Sequence, residues 1–203
     1  KNPIVEKVDY DFAHSGYTLC TIDSGADHAD LTDEYAAMPV EMKAVAAFFG
    51  KEVLHDVDEA AFYRHIAEVR KVTGDRAVLR AIHFFNENRR VKSQVRALKD
   101  GDFDAFLHLV NASGMASWTL LQNVTPAGFI QKQDMAFTIA LCQQLLEGEG
   151  AVRIHGGGFG GTTQNFVPDD LLDSFRETME GVFGKGSCHC LTIRPCGGIC
   201  VEA

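Results

Sequence analysis

Long apolar runs are the first thing this chain lacks: none approaches the roughly 20 residues of a membrane-spanning helix, and there is no secretory h-region. Positive charge is scarce as well. Against 28 acidic residues stand 19 Lys and Arg, a formal net charge of −9, and the only basic cluster is Arg89-Arg90-Val91-Lys92 on an apparent helix. Nucleic acid and anionic membrane surfaces are both gripped through concentrated positive charge, so neither is expected as a partner. Internal repeats and low-complexity segments are missing, which argues against a solenoid or a disordered linker. A cytosolic protein is the expectation. An initiating methionine is absent too, and the opening Lys1-Asn2-Pro3-Ile4-Val5-Glu6 has no helix or targeting logic, so the chain is expected to be a piece of something longer.

What remains is ample for a core: 203 residues, 46% of them hydrophobic. The six cysteines are unevenly spread, with Cys188, Cys190, Cys196 and Cys200 close to the end. A zinc site is the sharp reading of that crowding. Cys188 to Ile193 and Ile199-Cys200-Val201, however, read as two strands about the turn Pro195-Cys196-Gly197-Gly198. Such a hairpin sets Cys200 roughly 10 Å from Cys190 along the ladder, too far for four thiolates to share one ion. Buried, reduced cysteines and no metal are therefore expected, as in a reducing compartment.

Along the chain, Gly16 to Gly25 reads as a strand ending in a turn. A helix follows from Leu31, with Met38, Met42, Val45 and Phe49 on one stripe, Pro39 awkward inside it and Gly50 at its end. Asp58 caps a second helix that Gly74 stops, and Asp75 is expected to cap a long third one through Leu98. Gly101 and Asp102 supply a stop and a fresh cap, so the next helix, with Phe103, Phe106, Leu107 and Val110, should fold back antiparallel. Ser113 to Val124 is irregular, and a further helix carries Ile130, Phe137, Leu141 and Leu145. From Gly148 the pattern is strand, glycine run, strand, a helix from Asp169 to Phe183, and the cysteine-bearing strand. This order predicts an α+β fold, an antiparallel sheet with helices packed on one face.

The glycine run is Ile154-His155-Gly156-Gly157-Gly158-Phe159-Gly160-Gly161-Thr162-Thr163. Gly156, Gly158 and Gly161 match the spacing of a dinucleotide-binding fingerprint, but that fingerprint requires a helix after the glycines. Here Thr162 to Val167 is β-branched and alternating with Pro168 closing it, a second strand. Read without further context, the run is a glycine-rich connection between two strands. His83 and Glu87, four apart on a helix, read first as a structural polar pair. Tyr35 reads as core packing with a hydrogen-bonded tip.

Gly-Gly-Gly-Phe-Gly-Gly-Thr between two strands resembles the third signature of the galactokinase branch of the GHMP sugar and mevalonate kinases. Three more stretches are similar to that family in the same order. Asp23 to Tyr35 resembles its Asn-Ser-x-x-x-His followed by Glu-Tyr, Arg80 to Val91 its Arg-Ala-x-His-x-x-x-Glu-x-x-Arg, and Leu98 to Phe106 its Leu-x-x-Gly-Asp-aromatic-x-x-Phe.

The resemblance implies a ferredoxin-like C-terminal domain with an added helical layer, and an ATP- and Mg2+-dependent kinase phosphorylating the anomeric hydroxyl of galactose or a related hexose. It assigns the Gly156, Gly157, Gly158, Phe159, Gly160 and Gly161 loop to the phosphate end of ATP, Tyr35 to the sugar and His28 to the nucleotide. The family's sugar signature, serine-rich ATP loop and catalytic aspartate do not occur here. Residues 1–203 are thus expected to be the C-terminal half of such an enzyme, 1–28 adjoining an N-terminal domain and 29–203 forming the C-terminal one, with no activity in isolation. Met38-Pro39 replaces a usual Arg-Arg pair, Ser113-Gly114 a usual serine-histidine, and Thr162 a frequent cysteine. These departures leave a non-catalytic sugar-sensing or interaction protein as the rival reading. A side chain in Gly158→Val is expected to intrude on the phosphate while leaving folding intact.

Overall fold

A computed structural model describes residues 5–26 and 31–194. His28, Cys196, Cys200 and the expected strand Ile199 to Val201 lie outside the described residues. Among the described residues four strands form one sheet in the order β2-β3-β1-β4: β1 (Tyr17–Asp23), β2 (Ala151–Ile154), β3 (Thr162–Pro168) and β4 (Cys188–Leu191). Every neighbouring pair is antiparallel. Helices separate β1 from β2 and β3 from β4. This is the split β-α-β arrangement of a ferredoxin-like fold.

The first crossover is enlarged into a helical layer of α1 (Thr32–Phe48), α2 (Glu59–Arg64), α3 (Ile66–Thr73), α4 (Asp75–Lys99) and α5 (Phe103–Ala116), followed by α6 (Asp134–Leu146). Val45 of α1, Phe62 of α2, Val69 of α3 and Ala81 of α4 are fully buried together in a core of their own. The helix expected after Asp58 is two, broken at His65, which ends α2 and begins α3. Asp75 is not the cap of α4 but its first residue. Gly74, at φ +85°, holds the cap position, and the Asp75 carboxylate accepts from Arg70 Nε at 2.5 Å. Asp102 caps α5 as expected, its carboxylate accepting from Ala105 N at 3.0 Å.

Alternation along the strands divides the sheet between two cores. Cys20, Ile22, Val152, Ile154 and Val167 face α6 and α7 (Leu172–Phe183), packing on Met135, Ile139, Phe175 and Met179. This is the helix-covered face that the alternating pattern predicts. The opposite face carries a smaller aromatic cluster, where Phe103, Leu107 and Val110 of α5 meet Ala151 and Phe166, with Tyr10 and Phe12 packed alongside.

α5 also closes the outer edge of β2. Asn111 Nδ2 donates to Gly150 O and Val152 N donates to Asn111 Oδ1, both at 2.9 Å, so a side-chain amide takes the place of a neighbouring strand. A Cβ on Gly114 would lie 2.6 Å from the Val152 carbonyl oxygen. Helix and strand meet too closely there for any side chain, which accounts for the glycine at position 114.

Candidate functional site

The glycine run is a bend between two paired strands. Ile154 pairs with Thr163 at its base, and the antiparallel ladder continues to Ala151 opposite Phe166. A strand, not a helix, leaves Gly161, so the dinucleotide-binding arrangement is absent.

Among the described residues, three segments hold the bend: the one just past β1, the one carrying Asn123, and the first turn of α1. Ser24, just past β1, donates to the Gly161 carbonyl from both its N–H (3.0 Å) and its hydroxyl (2.7 Å). Asn123 donates from Nδ2 to Gly157 O at 3.0 Å and accepts the Phe159 N–H at its own carbonyl, 2.5 Å away. Tyr35, in the first turn of α1, donates its hydroxyl to Gly158 O at 2.5 Å, and its ring stands edge-on to Phe159 with centroids 5.3 Å apart. Partial burial raises the Tyr35 phenol above its ordinary range. Tyr35, expected at the sugar, and the glycine run, expected at the phosphate, thus touch directly across 123 positions of chain, a contact that the sequence did not foretell.

Inside the bend the backbone alternates in hand. Gly156, Gly158 and Gly161 have φ of +78°, +92° and +79°, and Phe159 has +58° with its ring buried. An aromatic residue in that region is strained by on the order of 1–3 kcal/mol, here held by its ring contact and the Asn123 carbonyl. Gly158 points its missing side chain into the protein, and a Cβ there would collide with the backbone oxygen and amide of Asn123. The expectation that Gly158→Val spares folding is therefore overturned, because that side chain meets the interior rather than a ligand.

Gly156 and Gly157 are the outward part of the run and are exposed together with His155. A Cβ at Gly156 would meet nothing within 4 Å, whereas one at Gly157 would lie 2.9 Å from Tyr35 Cε1. The N–H groups of Gly156 and Gly157 take part in no hydrogen bond among the described residues. An exposed glycine turn whose N–H groups are not engaged by the protein can take anionic oxygens. Phosphate fits it; Mg2+ does not, because residues 154–163 contain no carboxylate. Beside the bend, Phe159, Ala26, Leu31, Val124, Pro126 and Lys132 line a cleft of about 210 Å³.

The other motif residues are brought together as structure. Arg80 of α4 is fully buried, pairing with Glu41 Oε2 at 2.9 Å and donating from Nε to Leu121 O at 3.1 Å. Glu87 pairs with Arg90 and accepts from Ser113 Oγ at 2.8 Å. His83 is buried beside them, and desolvation drives its pKa down to about 4, so it is a neutral ring. Neither His83 nor Glu87 is bonded to the glycine bend among the described residues, and the expected pair between them is not formed, because Glu87 is taken by Arg90 and Ser113.

Sequence reasoning missed Asn123 and the role of Ser24. Asn123 follows a five-residue π-turn, Ser117–Leu121, and the left-handed Gln122 at φ +57°. No periodicity announces such a segment. Ser24 lay within a quoted motif, but its partner is 137 positions away.

No family model matches the chain. It is 29% identical over 170 residues to a galactokinase of Actinobacillus pleuropneumoniae, an alignment covering 84% of this chain and 42% of that protein. To a galactokinase of Actinobacillus succinogenes it is 30% identical over 164 residues, 81% of this chain and 40% of the relative. The chain therefore spans less than half the length of these curated relatives. Among solved structures, Lactococcus lactis galactokinase complexed with galactose superposes with a TM-score of 0.65 at 20% identity, over 90% of this chain and 46% of that one. Mevalonate kinase of L. major in complex with R-mevalonate gives 0.50 at 12% identity, over 86% and 41%. At those identities the superpositions bear on fold alone.

Proposed function

We propose, from the kinship of this chain with a C-terminal portion of the galactokinases of the GHMP kinase superfamily, that it supplies the glycine-loop half of an ATP-dependent sugar kinase. The substrate of the whole protein is galactose or a related hexose, phosphorylated at the anomeric hydroxyl in a reducing, cytoplasmic setting. The observation that carries this reading is the exposed Gly156-Gly157 turn, held in place through the bond of Tyr35 to the next residue, Gly158.

Phosphoryl transfer depends on positioning and on stabilising charge at the moving group. ATP would supply that group and Mg2+ would offset its charge, with carboxylate ligands drawn from outside the bend. The part of this chain is to present backbone N–H groups to phosphate oxygens at a place where no Cβ keeps them away. Ser24, Asn123 and Tyr35 fix the bend so that these donors need not reorganise during the reaction. The Tyr35 phenol is both donor and acceptor, and a sugar hydroxyl donating to its oxygen would join the substrate to the phosphate bend. His28, which precedes α1, remains assigned to the nucleotide by resemblance. Residues 1–28 adjoin the N-terminal domain in this reading, which brings the remaining catalytic groups.

The test is ATP-dependent phosphorylation of galactose by the protein that contains this chain. Gly156→Val should lower kcat by roughly tenfold or more, since its side chain enters the space a phosphate would take, while positive φ costs only on the order of 1–2 kcal/mol of stability. The 203 residues alone should give no turnover. Unchanged kcat in the variant, or turnover by the isolated chain, overturns the reading. A folded whole protein that binds galactose without phosphorylating it would identify the sugar-sensing alternative.

A further inference from the structure

We propose that Cys20, Cys188 and Cys190 form a binding site for a thiophilic closed-shell cation of the zinc class, at the edge of the sheet and using none of the residues of the glycine bend. The antiparallel register of β1 and β4 sets Cys20 opposite Cys190 and Ile22 opposite Cys188. Side chains alternate along a strand, so all three sulfurs project from the same face. The three Sγ atoms lie within 4.8 Å of one another, and Cys20 Sγ is 3.7 Å from Cys190 Sγ. A tetrahedral zinc with Zn–S bonds near 2.3 Å separates its sulfurs by about 3.8 Å, so that pair already stands at ligand spacing.

The surroundings suit an ion better than bare packing. Cys20 and Cys188 are buried, but Cys190 is exposed on the outermost of the described strands, which gives the cation a route in and leaves the fourth position to water. Three thiolates about a dication carry one net negative charge. Arg176 of α7 donates from Nη2 to Cys190 Sγ at 2.6 Å and supplies the compensating positive charge. A thiol serving only to fill a core needs neither a guanidinium nor exposure. The expectation of buried cysteines thus fails at Cys190, and the argument against zinc from the C-terminal cysteines did not reach Cys20, 170 positions from Cys190 in the chain.

The probe is Co2+, then Zn2+ in competition, added to the chain after reduction with a phosphine and removal of metal with a chelator. One equivalent of Co2+ should produce thiolate-to-metal charge-transfer absorption with tetrahedral visible bands, and Zn2+ should displace it. Cys190→Ser, at an exposed position, should weaken binding by more than roughly 100-fold, beyond the 10–100-fold expected of Arg176→Met as an outer partner. The double variant Cys196→Ser/Cys200→Ser should bind as the parent does. The proposal is overturned by absence of charge-transfer absorption in the folded, reduced chain, by binding that survives Cys190→Ser, or by binding that is lost with Cys196 and Cys200. A Cys20–Cys190 disulfide in the isolated protein, with no metal uptake after its reduction, would equally replace the ion site with a redox pair.

Discussion

Tyr35 does two things with one side chain: its ring braces the strained Phe159, and its hydroxyl satisfies the carbonyl of Gly158. Tyr35→Phe keeps the first and removes the second. With Gly158 buried, its carbonyl then loses the donor that replaced water, a cost of roughly 1–3 kcal/mol. The expected outcome is a Tm lowered by several degrees in thermal unfolding of the chain, with the ring packing retained. An unchanged Tm would show that the hydroxyl bond is not formed. His83 carries a separate prediction. Burial holds its folded pKa at about 4, below an ordinary value of 6.5, so the unfolded chain takes up a proton that the folded chain refuses. Stability is complete above pH 6.5 and declines as pH falls toward 4, by up to roughly 3 kcal/mol over that window. His83→Gln should remove this part of the slope in denaturant titrations at stepped pH, whatever it does to stability at neutral pH.

At the scale of elements, the bend owes its shape to a segment far from it in sequence. Asn123 leaves the π-turn and reaches Gly157 and Phe159 with its amide and carbonyl. Asn123→Ala should lose the amide clip while the backbone carbonyl keeps its partner. Amide hydrogen exchange at Phe159 and Gly161, the hydrogen-bonded amides of the bend, should quicken by on the order of 10-fold or more, for a bond worth about 1–2 kcal/mol, with β2 and β3 unaffected. Equal acceleration in the strands would mean that Asn123 supports the sheet rather than the bend. The strands and most helices were readable from alternation, caps and stop residues, because those signals act within a turn or a pleat. Asp75 was misplaced by one position because Gly74 adopts a conformation that only the folded chain displays. The glycine bend was readable as a loop between strands, but its contact with Tyr35 was not, since the resemblance gave the two separate ligands and no bond between them. The Asn123 clip, the Ser24 clip and the thiol cluster were not, since each depends on pairing between distant strands or helices that no local pattern encodes.

Across the whole molecule, α1 to α4 have a core separate from those of the sheet, and an ion pair with a buried arginine lies between these helices and the segment that carries Asn123. Glu41 of α1 receives Arg80 of α4 at 2.9 Å and Arg76 at 2.5 Å, while Arg80 also donates to Leu121 at the end of the π-turn. α1 holds Tyr35 and the π-turn precedes Asn123, so this network connects two of the three supports of the bend. Arg80 Nη2 has no hydrogen-bond partner among the described residues, so the bond from Nη1 to Glu41 is the main compensation for this buried guanidinium. Glu41→Ala leaves a fully buried guanidinium uncompensated and should cost roughly 3–5 kcal/mol in chemical denaturation. Replacing both partners, as Arg80→Met with Glu41→Leu, should recover most of that loss, because the desolvation of two charges is relieved together. If the double variant is as unstable as Glu41→Ala, the pair contributes through geometry that hydrocarbon cannot copy. Hydrogen exchange at Phe159 and Gly161 then separates the two uses of the network: recovery of stability with a still-loosened bend would show that the arginine positions the π-turn as well as balancing charge.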